Sequence, residues 1–302
     1  MRCWDIGCSS AFQAEEIGSS PIRRSKKKIM QNLSILFRNG SWAEQDEFLA
    51  AQRYFSVYQF RSNIPSGSLV VPRYSALPFY NELEADVSIL GSKLLNSHIQ
   101  HKFVANFWPW YEILHDLTPK SWAQGTPYSV LPQDCSFVVK GATNSRKNYW
   151  KDRMFAKSAF DLPRVINSLL DEAELLSQGL IIREYVPLVQ YDIGINGLPF
   201  TNEWRFFILN GRVIFGGYYW ANEPEIYPGN LNEIPYNALK LADVVAKRIK
   251  DRIPFAVVDV GETTTGEWIV IELNDGQQSG LPVCQSMDFY RILRDELKFL
   301  PE

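Results

Sequence analysis

The chain has 302 residues and a formal net charge of −3 at pH 7, and 46% of its residues are hydrophobic against 22% that are charged. Such a chain can bury a sizeable core and divide into two domains, and it lacks the overall positive field that nucleic-acid binding proteins use. It also has no continuous apolar run long enough to cross a membrane, so we expect neither nucleic acid nor a membrane as its partner.

Residues 1–29 differ in composition from the rest of the chain. They carry six basic residues against three acidic ones, and the basic residues concentrate in the run Arg23-Arg-Ser-Lys-Lys-Lys28. No apolar segment of a secretory signal follows this run, so the sequence predicts a disordered basic extension on a cytoplasmic protein. A nucleic-acid arm or a targeting patch is the alternative interpretation of the same run.

Between residues 30 and 120 the pattern alternates short apolar strands with helices, which predicts a small α/β domain. The predicted strands cover residues 33–37, 57–60, 69–71 and 94–96. The predicted helices cover residues 44–54, 78–90, 98–107 and 111–117.

Residues 121–302 follow a different order of elements. The predicted strands cover residues 137–140 and 180–186 and a hairpin of 203–209 with 212–219, while the predicted helices cover 161–177, 236–252 and 288–298. The dipeptide Asn210-Gly211 is a strong signal for the hairpin turn.

A second predicted hairpin carries the oxygen ligands that Mg²⁺ prefers. Its strands are Phe255–Gly261 and Trp268–Asp275. Asp259 lies on the first strand, while Glu272 and Asn274 lie two apart on the second and therefore point to one face. The pattern predicts a magnesium site that waters and phosphate oxygens complete, and a hairpin with polar ends is the alternative.

Several segments, in their order and spacing over roughly 270 residues, resemble the ATP-grasp domain of carboxylate–amine ligases, in a clade associated with phages and bacteria. The segments that carry the resemblance are Arg73-Tyr-Ser-Ala-Leu-Pro-Phe-Tyr80, Leu117-Thr-Pro-Lys-Ser-Trp122, Phe137-Val-Val-Lys140, Ile182-Arg-Glu-Tyr-Val186, Glu203-Trp-Arg205 and Ile271-Glu-Leu-Asn-Asp-Gly276. The resemblance implies a small α/β domain at residues 30–120, followed by an ATP-grasp domain at 121–302 whose two α+β subdomains close on ATP.

The same resemblance implies roles for individual positions. Glu184-Tyr185-Val186 is similar to the hinge that pairs with adenine, and Asp192 lies eight residues later, near the position of the ribose-binding acid. The segment around Asp192 could equally be a strand with an exposed acid, so both interpretations stay open. Asp259, Glu272 and Asn274 match the magnesium set of the family in type and order.

Three basic residues have the chemistry to bind phosphate. Lys140, at the end of a buried strand, can place an ammonium on a phosphate, and a solvated strand-end lysine is the alternative. Arg183 and Arg205 present planar forks that suit phosphoryl oxygens, and ion pairs with neighbouring glutamates are the alternative. Residues 141–147 could add backbone N–H donors but lack the G-x(4)-G-K-[ST] motif of a P-loop.

These parts predict an enzyme that uses ATP and Mg²⁺ to join a small-molecule or peptide carboxylate to an amine through an acylphosphate. Lys140 and Arg205 are its candidate catalytic residues, because catalysis would consist of positioning and charge neutralisation. The alternatives are a phosphotransferase and a non-catalytic nucleotide-binding module. The loop Asp275–Pro282 departs from that of the better-known ligases, so their substrates do not transfer to this chain.

Overall fold

The computed structural model describes residues 32–38, 45–143, 150–170, 179–221, 233–282 and 286–298. The predicted extension at residues 1–29, most of the loop predicted at 141–147 and the second half of the helix predicted at 161–177 lie outside these ranges. Those expectations therefore stay predictions.

The described residues form seven α-helices and fourteen strands in a mixed α/β order. The helices are α1 (Gln45–Tyr54), α2 (Tyr80–Ile89), α3 (His98–Ala105), α4 (Phe107–Leu114), α5 (Leu162–Leu170), α6 (Tyr236–Ile249) and α7 (Ser286–Leu297). The strands are β1 (Asn32–Leu36), β2 (Ser56–Tyr58), β3 (Ser68–Pro72), β4 (Lys93–Leu94), β5 (Ser121–Ala123), β6 (Phe137–Gly141), β7 (Phe155–Ala156), β8 (Leu180–Glu184), β9 (Gln190–Ile193), β10 (Pro199–Thr201), β11 (Glu203–Leu209), β12 (Arg212–Tyr218), β13 (Phe255–Glu262) and β14 (Trp268–Asp275). No described helix combines the length and the apolar character that a bilayer span requires.

The first sheet is parallel and has the strand order β2-β1-β3-β4. All five residues of β3 are buried, as expected for a parallel strand that is covered on both faces. Leu36 and Val70 pack on α2, whereas Ile35 and Val71 belong to a core cluster that includes residues of α1 and α7. The period of two along each strand thus assigns alternate residues to two separate cores.

The second sheet is antiparallel, in the order β12-β11-β13-β14. One face packs on α6, whose buried residues recur at helical spacing from Ala238 to Ile249. On the opposite face, Phe207 and Val257 join the core cluster that contains α1, α7 and the first sheet. The predicted domain division at residue 120 therefore crosses a shared core, and it stays a prediction.

The third sheet is antiparallel, in the order β5-β8-β6-β7, and α5 covers one face of it. The short strands β5, β7, β9 and β10 have only two to four residues, too few for an alternating pattern to stand out in the sequence. The predicted β11–β12 turn is present, and Asn210 and Gly211 both have positive φ angles of 48° and 75°. These values are those of the two-residue hairpin turn that the dipeptide signals.

Candidate active site

A cleft of about 850 Å³, including its open mouth, lies between the second and third sheets. Val138 and Ile271 line it from β6 and β14, and Glu184, Tyr185 and Val186 line one edge where β8 has ended. The strand ladder of β8 ends at Glu184, and the N–H of Tyr185 then donates to the carbonyl of Ser136 at 2.8 Å. The predicted hinge is therefore at the cleft.

An aromatic wall completes this end of the cleft. Trp150 and Met154 come from a single π-helical turn, a feature that often marks functional sites. The ring centroid of Tyr185 lies 5.1 Å from that of Phe155 and 6.3 Å from that of Trp150. Sequence reasoning did not identify Trp150 or Met154, and the high aromatic share of the chain was the one signal for a ring-binding pocket.

Lys140 faces the cleft from β6 and is not a solvated strand-end lysine. Its side chain is 11% exposed, and its Nζ donates a hydrogen bond to Oε1 of Glu272 on β14. The pair joins the third sheet to the second across the cleft. The structure thus brings together two side chains that the sequence assigned to phosphate and to metal.

Arg205, Asp259 and Glu272 form a row across three adjacent strands. Arg205 on β11 is in register with Asp259 on β13, and Asp259 is in register with Glu272 on β14. Residues directly opposite in antiparallel strands point to the same face, with Cβ atoms about 4.5–5.5 Å apart. Asn274, two residues after Glu272, lies on that face as well, so the predicted shared face is present.

These side chains fit a magnesium ion. Two carboxylates and one amide oxygen are hard oxygen donors, and Mg²⁺ commonly takes one or two carboxylates and completes its shell with waters and phosphate oxygens. No group of three His, Cys, Asp or Glu residues suited to a metal occurs in the part of the chain that the structure describes. A metal here would therefore depend on bound phosphate for part of its coordination.

Arg205 holds Asp259 in a two-point ion pair. Its Nε and Nη2 each lie 2.8 Å from a carboxylate oxygen of Asp259, and its Nη1 donates to the carbonyl of Gly280 at 3.1 Å. The guanidinium carbon lies 4.6 Å from the ring centroid of Tyr219. Burial alone would lower the pKa of Arg205, but the carboxylate of Asp259 outweighs burial, so the pKa lies above its ordinary value. Arg205 therefore stays cationic, and its partner is Asp259 instead of Glu203.

Arg183 is a buried cation without a carboxylate partner within 4 Å among the described residues. It donates to the carbonyls of Val270 and Ile271 and to the hydroxyl of Thr118, while its Nε has no hydrogen-bond partner. Burial lowers the pKa of Arg183 to about 10, so the group is charged at neutral pH. Because it lines the cleft, an anion bound there would relieve this cost.

Asp192 and Glu203 occupy contrasting places. Asp192 is exposed on β9 and accepts a hydrogen bond from the N–H of Ile193, so the structure shows the strand with an exposed acid and does not bring Asp192 to the cleft. Glu203 lines the cleft, is 6% exposed and accepts hydrogen bonds from Thr201 and Trp220. Sequence reasoning considered Glu203 only as an ion-pair partner.

Comparison with known proteins gives one matching family and many similar folds. The family described as ATP-grasp domain, R2K clade family 3, matches residues 129–293, which is more than half of the chain. No curated protein matches the chain. Among solved structures, the D-cycloserine synthetase DcsG is 14% identical with a TM-score of 0.56, and the match covers 88% of this chain and 99% of that one.

Two other solved structures show a similar fold. The ATP-grasp ligase PsnB complexed with a minimal precursor is 12% identical with a TM-score of 0.56, covering 89% of this chain and 100% of that one. The D-alanyl-alanine synthetase A of Vibrio cholerae O1 biovar eltor is 13% identical with a TM-score of 0.53, covering 88% and 97%. These likenesses confirm the predicted fold class.

Proposed function

The chain belongs to the ATP-grasp family, in R2K clade family 3, and from that premise we propose that it is an ATP- and Mg²⁺-dependent ligase that joins a carboxylate to an amine. The observation that carries the proposal is the row of Arg205, Asp259 and Glu272, which Lys140 faces from the opposite sheet. Two cations and two carboxylates at the end of an apolar cleft suit a magnesium-bound polyphosphate.

The nucleotide would lie along the cleft with its base at the aromatic end and its phosphates at the charged end. The base packs against Trp150 and Tyr185 and pairs with the backbone of the hinge at Glu184–Val186. Glu203 is the carboxylate that accepts from the ribose hydroxyls, because it lines the cleft and Asp192 does not. This assignment moves the ribose contact from the residue that the family spacing suggested.

The phosphates would reach the row of charged side chains. Lys140, Arg183 and Arg205 bind phosphate oxygens, and the two arginines offer donors in a planar fork. Asp259, Glu272 and Asn274 would hold Mg²⁺, which neutralises phosphate charge when bound. Lys140 and Arg205 pair with the metal-binding carboxylates in the structure, so nucleotide and metal together would take the place of these ion pairs.

The reaction needs no side-chain nucleophile. An oxygen of the substrate carboxylate attacks the γ-phosphorus of ATP and ADP leaves, which gives an acylphosphate. The amine then attacks the carbonyl carbon, orthophosphate leaves and an amide forms. The enzyme contributes orientation and charge stabilisation, which are the main sources of rate in phosphoryl transfer. The names of the similar structures, two synthetases and a ligase with a precursor peptide, support small-molecule and peptide substrates alike.

The test is incubation with ATP, Mg²⁺ and a mixture of amino acids and short peptides, followed by mass analysis for condensed products. Orthophosphate release that requires both a carboxylate and an amine supports the ligase. A stable phosphorylated product that forms without an amine supports the phosphotransferase instead. In this assay Asp259→Asn should lose orthophosphate release, and Asp116→Asn is its control, because Asp116 makes a similar two-point pair with Arg248 on the exposed surface.

A further inference from the structure

Arg73 follows β3 at the carboxyl edge of the parallel sheet, and its side chain is 3% exposed. Each of its nitrogens donates within the fold, to Glu47 and to the backbone of the loop that follows the proposed metal ligands. The contacts are Nε to Glu47 Oε1 at 2.9 Å, Nη2 to the same atom at 2.8 Å, Nη1 to the carbonyls of Gly276 and Gln277 at 2.8 and 3.2 Å, and Nη2 to the carbonyl of Ser279 at 2.8 Å. Four of these contacts are hydrogen bonds, and the contact of Nη2 with Oε1 belongs to the ion pair with Glu47.

The loop of residues 276–280 links Arg73 to the candidate active site. It begins two residues after Asn274, and three of its carbonyls turn toward Arg73. The next carbonyl along the chain, that of Gly280, accepts from Nη1 of Arg205. Arg205 is thus oriented by Asp259 on one side and by this loop on the other.

Tyr80, at the other end of the segment Arg73–Tyr80, fixes the same loop by a separate route. Its hydroxyl donates to the carbonyl of Asn96 at 2.6 Å and accepts from Nε2 of Gln277 at 2.6 Å. Burial raises the pKa of the Tyr80 hydroxyl, with the carboxylate of Asp275 adding to the effect, so it stays protonated and can donate. The two ends of one segment therefore hold a single loop.

We propose that Arg73 is a positioning residue for the phosphoryl-transfer step, acting through the carbonyl of Gly280 on Arg205. The proposal rests on the proposed function, because it needs Arg205 to meet phosphate. Only a planar fork can reach three carbonyls of a curled loop and a carboxylate at once, and a lysine ammonium has three donors on one point. Each nitrogen of Arg73 already donates to a protein acceptor, so Arg73 acts on geometry and not on nucleotide contact.

The experiment compares Arg73→Lys with wild type and with Arg61→Lys as a control. Arg61 makes a surface ion pair with Asp86 at 2.6 Å and has no contact with the loop. The measurements are the Kd for MgATP, kcat for orthophosphate release in the same substrate mixture as the assay above, and the melting temperature. We expect Arg73→Lys to lower kcat by about tenfold to a hundredfold, as small misplacements do, with the Kd within about twofold.

The outcomes distinguish a failure of the positioning role of Arg73 from a failure of the proposed function. An unchanged kcat, or a kcat and an affinity that fall together in step with stability, would overturn the positioning role. If Arg73→Lys does not fold, Tyr80→Phe decides by the same criteria, since it removes one hydroxyl with little change in volume and should lower kcat by about threefold to tenfold. A wild-type protein that neither binds MgATP nor releases orthophosphate would contradict the proposed function itself.

Discussion

Two regions of the molecule contain similar polar residues and use them in opposite ways. The junction is the buried cluster of Arg73, Tyr80, Asn96, His101, Asp275 and Gln277 between the first sheet and the loop 276–280. Lys140, Arg183 and Glu272 line the cleft, and Arg205 and Asp259 continue the row of charges on the same face of the second sheet. In the junction each nitrogen of Arg73 has an acceptor, whereas Arg183 in the cleft has an Nε without one.

The difference between the regions lies in how fully their arginine and amide groups are paired. Asn96 in the junction exchanges two hydrogen bonds with the backbone of Phe255 and donates to Asp275 and Gln277. His101 stacks on Tyr80 at 4.1 Å between ring centroids and pairs through Nδ1 with Asp275, whereas its Nε2 has no hydrogen-bond partner among the described residues. Saturated groups stabilise one geometry and gain nothing from a ligand. Cations and carboxylates that pair across an open cleft can change partners when phosphate and metal enter.

The largest expected effect is in the cleft. Glu272→Gln should lower Mg²⁺-dependent turnover by more than about a hundredfold, the upper range for residues that only support a metal ligand. The same change should strengthen the binding of Mg²⁺-free ATP, because it removes the carboxylate that pairs with Lys140. Calorimetry with ATP in a chelating buffer measures the second effect.

Unfolding of Glu272→Gln would lower both its turnover and its affinity for ATP. Lower turnover together with tighter binding of Mg²⁺-free ATP therefore excludes a general loss of structure. The exposed Glu267→Gln is the matched control, and it should change neither. Weaker binding of Mg²⁺-free ATP to Glu272→Gln would contradict the exchange of partners.

At Asn96 in the junction the expected effect is on stability alone. Asn96→Ala leaves the buried carboxylate of Asp275 and the backbone of Phe255 short of partners, and several buried hydrogen bonds at roughly 1–3 kcal/mol each predict a loss of about 3–5 kcal/mol. The affinity of the folded fraction for MgATP should be unchanged. Urea unfolding and calorimetry measure the two quantities, with the exposed Asn63→Ala as the control. A large loss of affinity at matched folding would mean that the junction reaches the nucleotide.

A smaller effect is expected at Lys140. Lys140→Met keeps most of the apolar packing and removes a charge-assisted contact, which is worth about 1.5–3 kcal/mol or roughly tenfold to a hundredfold in ATP affinity. Adenosine, which has no phosphate, should bind nearly as before. The exposed Lys157→Met serves as the control. Equal ATP affinities of wild type and Lys140→Met would remove the phosphate contact.

The smallest effect is expected at Glu203. Glu203→Gln replaces a charged acceptor by a neutral one, so ATP affinity should fall by about fivefold, and that of 2′-deoxy-ATP by less. Competition between the two nucleotides measures this ratio. Glu262→Gln is the control, because Glu262 accepts from Asn202 and does not line the cleft. If the ratio of ATP affinity to 2′-deoxy-ATP affinity is the same in Glu203→Gln as in wild type, the ribose binds elsewhere.

Local pattern predicted the parts of the site that depend on one strand or one hairpin. Glu272 and Asn274 share a face because side chains alternate along a strand, whereas Asp259 joins them through the register of the hairpin β13–β14. Spacing pointed to Asp192, but Asp192 lies on the exposed strand β9 and does not line the cleft, whereas Glu203 does.

The contacts of Arg73 with the loop 276–280 lie more than 200 residues away along the chain, so no local pattern could assign them. Local pattern could not assign the partner of Arg205 either. Arg205 pairs with Asp259, 54 positions later, because two strands lie in register and not because an acid is adjacent in sequence. The sequence identified these residue types, and the fold determined their partners.

The packing of α1 against α7 bears on how the protein is made. Ala50, Ala51 and Phe55 at the start of the fold are buried in one cluster with Phe289 and Leu293, more than 230 residues later. A ribosome adds about 5–20 residues per second, so the apolar face of α1 stays exposed for roughly ten seconds or longer before α7 is made. We expect ribosome-bound chains in which α7 has not yet left the exit tunnel to be cut readily by protease within residues 45–98 and to need a chaperone, whereas the released chain resists.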